Sequence, residues 1–145
     1  MTVSTAEITD GIYSRLTGDS TFNTAIGGGA TTAGRLHYAI APRDPTTPFV
    51  TYNVIGGAPI RTMADDGYEL RVQFSVYGGR AAGPRAVQAV MDLLRARLDV
   101  VRFTIANHAN LPALEQMPRG PMLDGDTDDA LWVMYTDYLI TCYDS

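Results

Sequence analysis

The residues best equipped for chemistry cluster late in the chain, in "DGDTDD", which sets Asp124, Asp126, Asp128 and Asp129 within six residues. Alternating carboxylates are what a hard cation such as calcium needs. A calcium loop of the EF-hand type also needs glycine at its sixth position, for the turn, and glutamate at its twelfth, to grip the ion with two oxygens. Counted from Asp124, those positions hold Asp129 and Tyr135. The spacing therefore predicts a solvated acidic loop rather than a metal site. A thiolate activated by a neighbouring base is the next possibility. Cys142 is the only cysteine, His37 and His108 are the only histidines, and neither histidine stands in a recognisable motif. Cys142 lies in an alternating apolar run, where a small buried side chain is expected. Acid–base work would draw on Asp65, Asp66, Glu69 and Asp137. Asp137 sits among aromatics, and a buried carboxylate there is expected to pair with an arginine. The glycine stretch "GGGATTAG" lacks the Lys-Ser/Thr ending of a phosphate loop, and no nucleophile elbow or dinucleotide turn is written in the chain. The expectation is a protein that is not an enzyme, with no cofactor and no metal. A small hydrolase or metal-binding domain built on the aspartate tip is the alternative.

Charge and composition narrow the partners. The 145 residues, 46% hydrophobic and 19% charged, suit one globular domain. No apolar run approaches the roughly 20 residues that span a bilayer, so no membrane is expected. The N-terminus shows no basic segment followed by an apolar core, and the single cysteine suits a reducing cytoplasm. The formal charge is −5, distributed as −1 over residues 1–60, +2 over 61–102 and −6 over 103–145, and every positive charge is an arginine. A protein that grips nucleic acid normally presents a basic stripe, so phosphate binding is not the expected task. DNA passing nearby without being held is compatible with this balance.

The elements that would position these groups read as follows. "STAE" at Ser4–Glu7 is a capping box, and Ile8, Ile12 and Leu16 follow at helical spacing, so a helix is predicted over about 5–17. "GDSTFNTAI" predicts one further helical turn. A short strand around "RLHY" leads into a segment interrupted by Pro42, Pro45 and Pro48, then into the strand "FVTYNVI" over 49–55. A long connection is predicted over 56–67. "YELRVQFSVYGG" over 68–79 alternates apolar and polar residues, as a half-buried strand does. "GPRAVQAVMDLLRARLD" is the clearest helix, with Pro84 at its first position and Val87, Val90, Met91, Leu94 and Leu98 on one stripe. "VRFTI" over 101–105 reads as a short strand, and 106–130 as a long irregular arm. The predicted class is α+β: one domain over 1–145, a mostly antiparallel sheet of four to five strands, and two main helices packed on one face.

The last strand breaks that economy. In "ALWVMYTDYLITCYDS", Trp132, Met134, Tyr138, Ile140 and Cys142 share one face, and Leu131, Val133, Tyr135, Leu139 and Tyr143 share the other. Two helices can cover one face of such a sheet and cannot cover both. Tyr, Trp, Met and Arg are the residues enriched at protein contacts, so a partner is the expected cover.

The run "APRDPTTPFVTYNVIGGAPIRTMADDGYELRVQFSVYGGRAAGPRAVQAVMDLLRARLD" resembles the tail-terminator (tail-completion) family of long-tailed bacteriophages and phage-like gene transfer particles. It carries, in order, a Tyr-containing strand, Ala-Pro, the "PFVTY" strand, a P-x-x-T loop ending in Asp-Gly, a strand ending "VYG", and an Ala/Arg/Leu helix. The resemblance implies a ring, usually of six copies, that caps the finished tail tube, ends its polymerisation and offers a surface to the neck and head-completion proteins. DNA would pass through the central hole without specific binding, past an acidic lining. A stopper or other head–tail joining protein is the near alternative. The location implied is the tail–neck junction of a virion assembled in a host cytoplasm. Contacts to the tube or the next subunit are expected from Arg61, Thr62, Met63, Asp65 and Asp66 at the loop tip, and from Trp132, Met134, Tyr135 and Tyr138 on the last strand.

Overall fold

In this computed structural model the structure describes residues 4–61, 66–102, 105, 108–126 and 128–144. Helix α1 (Thr5–Thr17) begins where Ser4 and Glu7 cap each other: the Glu7 amide donates to the Ser4 hydroxyl at 3.1 Å, and the Ser4 amide to a Glu7 carboxylate oxygen at 3.2 Å. Helix α2 (Ser20–Ala25) is capped by Asp19 and buries Phe22 and Asn23. The Asn23 side chain donates to the carbonyls of Gly29 and Thr32 and accepts from the Gly34 amide, so one amide group folds the glycine loop onto the helix. A side chain at Gly28 would collide with Asn23, which explains the glycine there. Helix α3 (Pro84–Leu98) points Val87, Val90, Met91, Leu94 and Leu98 into the core.

Among the described residues six strands form one sheet: β1 (Leu36–Tyr38), β2 (Phe49–Arg61), β3 (Asp66–Gly78), β4 (His108–Asn110), β5 (Leu114–Asp124) and β6 (Leu131–Asp144). Five lie in the order β1-β2-β3-β6-β4, and β5 pairs β6 on the side away from β3. Only the β1–β2 pair is parallel. The α+β class and the mostly antiparallel sheet are as the sequence predicts.

Three expectations about the connections need correction. Most of 56–67 is strand, because β2 continues to Arg61 and β3 begins at Asp66, making one long hairpin with a bulge between Val54 and Gly56. The 106–130 arm is not irregular: it contains β4 and β5, held on β6 despite Pro118 and Pro121 by two register shifts that take the prolines out of the ladder. The strand over 101–105 is absent at Val101 and Arg102, and Ile105 contributes only an isolated bridge and a buried side chain.

The core lies between the helices and one face of the sheet. Ile8, Ile12 and Leu16 of α1, the α3 stripe, Val50, Val72, Phe74, Val76, Tyr138, Ile140 and Cys142 meet there. Phe74 is its aromatic hinge, stacked on Tyr52 at 6.0 Å and edge-on to Tyr138 at 5.8 Å. The two helices are tied end to end by a reciprocal pair: Arg15 donates to the Arg97 carbonyl at 3.0 Å, and Arg97 to the Arg15 carbonyl at 3.2 Å. Each guanidinium thereby satisfies a carbonyl near a helix C-terminus.

Candidate functional site

The register of β6 assigns its residues to faces. Met134 pairs with Val76, Thr136 with Phe74, Tyr138 with Val72 and Ile140 with Leu70, all toward the helices. Met134 and Tyr138 are buried in the core, and Trp132 packs at its margin. These three were expected at a contact; Met134 and Tyr138 are instead buried in the chain's own core, whereas Trp132 stays partly exposed. The second face carries Tyr135 opposite Ser75, Asp137 opposite Gln73, Leu139 opposite Arg71 and Tyr143 opposite Gly67. The helices pack on the other side, yet Phe49, Ser75, Val133 and Asp137 of this second face are buried as well, so only part of it is open. Tyr135, Leu139 and Tyr143 are half-exposed there.

Aromatic and ionic contacts stiffen this second face. Phe49 stacks on Tyr77 at 4.7 Å, and Tyr77 shares hydrogen bonds with Tyr135 and Ser75. Burial raises the Tyr77 phenol above its ordinary pKa, with Tyr135 and Asp124 adding to the effect. Asp137 is nearly buried and finds the arginine its position called for: Arg119 donates to it at 2.9 Å from a bulge of β5. The same guanidinium lies 5.5 Å from the centre of the Tyr135 ring. Sequence reasoning anticipated a partner for Asp137 but not its identity, because Arg119 reaches it only through the irregular pairing of β5.

Under α3, Glu115 of β5 accepts from Arg95 at 2.7 Å and from the Thr136 hydroxyl at 2.7 Å. Burial alone would lower the Arg95 pKa; the Glu115 hydrogen bond and charge outweigh it, and the net shift is upward. The Tyr138 hydroxyl is buried beside this cluster with no hydrogen-bond partner among the described groups. Its pKa is pushed well up, chiefly by burial and then by the negative charge of Glu115.

The hairpin tip is bounded by Arg61 and Asp66, which pair in register and are exposed. Thr62, Met63 and Asp65 lie outside the described residues. The acidic turn joins β5 to β6, and Asp124, Asp126, Asp128 and Asp129 are all exposed. Among the described residues no group of three or more His, Cys, Asp or Glu could hold a metal ion. His37 lies beside Phe49 at 6.4 Å, at the level of Thr51 and Ser75, whereas Cys142 faces the helices from fully buried surroundings, so the two do not form a dyad. Burial pushes the Cys142 thiol up to about 11, away from nucleophilic use.

Known proteins agree with this geometry. Among curated protein sequences none matches. A chain of the "Virion of native gene transfer agent (GTA) particle" superposes with a TM-score of 0.69 at 15% identity, over 97% of this chain and 98% of that one; at this identity the likeness is one of fold. The family model for tail completion protein gp17 matches residues 10–138. A match over nearly the whole sheet-and-helix unit settles kinship: the chain belongs to the tail completion protein gp17 family, structural proteins of the phage-type tail.

Proposed function

We propose that the chain is the terminator of a phage-type tail. Copies close into a ring, six by the family's habit, that caps the finished tube, halts its polymerisation and presents a surface to the neck or head-completion protein. The ring sits at the tail–neck junction of particles assembled in a host cytoplasm. DNA passes through its lumen unheld, in keeping with a chain of net charge −5. The role is structural, without catalysis.

The observation that carries this reading is the second face of the sheet, which the helices leave free and on which a strip of apolar side chains stays partly exposed. Tyr135, Leu139 and Tyr143 stand half-exposed on it beside a rigid aromatic pair. The smaller part of each side chain is still exposed, so completing their burial is worth roughly 0.5–1 kcal/mol apiece before the ordering cost of association. A head-to-tail contact repeated around a closed ring uses that gain once per copy. The tip from Arg61 to Asp66, with Thr62, Met63 and Asp65 between them, is the segment offered to the tube.

The test is to add the purified chain to polymerising tube protein. Tubes of bounded length support the reading. Tubes that grow as they do without the chain would leave a stopper or other head–tail joining role in its place.

A further inference from the structure

The subunit contact of the proposed ring can be specified further, because the two edges of the sheet carry complementary features at the same spacing. On the β5 edge, Met117 stands 62% exposed in a left-handed conformation at φ 40°, within the bulge between Gln116 and Arg119. Such a backbone is uncommon for a side chain of this kind and persists where surrounding structure holds it. Here the holder is Arg119, fixed on Asp137 and Tyr135. The bulge thus displays a flexible apolar knob off the edge of the sheet.

On the opposite edge the β2 bulge opens a notch of about 260 Å³ on the second face, floored by Ile55, Gly56, Gly57 and Leu139 and rimmed by Glu69 and Arg71. Gly56 is not demanded by the chain's own fold. Its φ is not left-handed, and a Cβ there would meet nothing within 4 Å. What the missing side chain does is keep the notch open.

Charge repeats the pairing. Above the knob, β5 ends in the acidic turn with Asp124, Asp126, Asp128 and Asp129 exposed. Above the notch stand Arg35, which precedes β1 and donates to the Pro48 carbonyl, and Arg43, next to Asp44 on the loop that follows β1. Read through the strand registers, knob to turn and notch to Arg35 are each six or seven residues, roughly 20 Å at about 3.3 Å per residue. Both run in the same direction along the strands. The knob and the turn stand two to three residues further along β3 than the notch and Arg35, so one rotation about an axis inclined to the strands engages both, as a head-to-tail contact requires.

We infer that the ring forms by seating Met117 of one copy in the Gly56 notch of the next, with the acidic turn of the first copy against Arg35 and Arg43 of the second. This rests on the terminator reading for its setting but makes its own claim. Pro118 and Pro121 on one edge and Pro59 on the other interrupt the row of donors that sheet-edge addition would use, so side-chain seating is the mode proposed.

Cysteine pairing tests it. Cys142 is fully buried, so the native thiol gives no background. Tails assembled with the full-length Gly56→Cys/Met117→Cys chain, mildly oxidised and run without reductant, should give a ladder of linked copies ending at the closed ring, while each single variant gives monomer. A double variant that terminates tails as the parent does and yields only monomer overturns the inference. A second arm uses Gly56→Trp, which fills the notch: its thermal melt should match the parent while incorporation into tails falls at least tenfold. Parental incorporation by that variant also overturns the proposal. Failure of the parent chain to bound tube length is a separate result that removes the terminator reading, and a ladder from concentrated protein alone would still support the contact.

Discussion

Arg119 is the residue on which the arrangement of β5 turns, and Arg119→Ala is the perturbation whose size can be worked out. Asp137 has a side chain only 5% exposed, and Arg119, 40% exposed, is its salt-bridge partner at 2.9 Å. A hydrogen bond to a charged group in such a site contributes about 1.5–3 kcal/mol, and the exposure of Arg119 places this one toward the lower end. The contact with the Tyr135 ring adds about 0.5–1 kcal/mol. Truncation also leaves the carboxylate without its partner, although removing the arginine admits water that offsets part of that cost. The expected loss is about 2–3 kcal/mol, which for a chain of this length lowers Tm by roughly 6–10 °C. Asp137→Asn should cost less, about 1 kcal/mol, because the freed guanidinium turns to solvent. The double variant should be less damaged than the sum of the two, with a coupling of about 1–2 kcal/mol. Urea titrations of the four proteins give all three values. An Arg119→Ala chain within 0.5 kcal/mol of the parent, or additivity in the double variant, would show that the pair does not hold β5, and the account of the Met117 bulge would lose its support.

Tyr138→Phe removes a buried hydroxyl that has no hydrogen-bond partner, so stability should rise by about 1 kcal/mol; a loss of that size in a urea titration would mean the hydroxyl is satisfied. Alkali should unfold the protein in a definite window. Cys142, ordinarily 9.0, is held at about 11, and Tyr52, ordinarily 10.0, at about 12. Both are acids with raised folded pKa values, so their contribution is complete below the unfolded pKa and drains away between pH 9 and 11 for Cys142 and between 10 and 12 for Tyr52, at about 1.4 kcal/mol per unit for each. In Cys142→Ala the urea midpoint should stay flat from pH 9 to 10, and an unchanged slope there would refute the assignment. Leu139→Glu places a charge on the second face and in the floor of the notch. It should cost less than about 1 kcal/mol of stability, because the site is half-exposed, yet abolish incorporation into tails as scored by electron microscopy of tube length.

The helices were legible because their signals are local. The capping box at Ser4–Glu7, Pro84 at a first turn and the stripe from Val87 to Leu98 each act within a few residues of chain, and all stand in the structure where the spacing put them. The two misread connections share a different cause. Residues 56–61 and 114–124 are rich in glycine and proline, which argue against strand when read alone, and they pair only because a partner strand of strong β character lies alongside. A bulge at Val54–Gly56 and two register shifts in β5 absorb the residues that do not fit. The same irregularities hid the candidate contact. Alternation along β6 correctly divided it into two apolar faces but could not say which one the helices would take, since Trp132, Met134 and Tyr138 look as suited to a partner as Tyr135 and Leu139 do. What decides is volume. The helix side must fill the space beside Phe74, and Tyr138 and Ile140 lie opposite Val72 and Leu70 on that side. The odd-numbered face has Ser75, Gln73 and Arg71 as neighbours; Ser75, Val133 and Asp137 are buried on it, but the strip beside Arg71, with Leu139 and Tyr135, stays partly open. The polar side of β3 thus fixes which apolar side of β6 the helices leave free, and its partly exposed strip lies between the two bulges, at Gly56 and Met117.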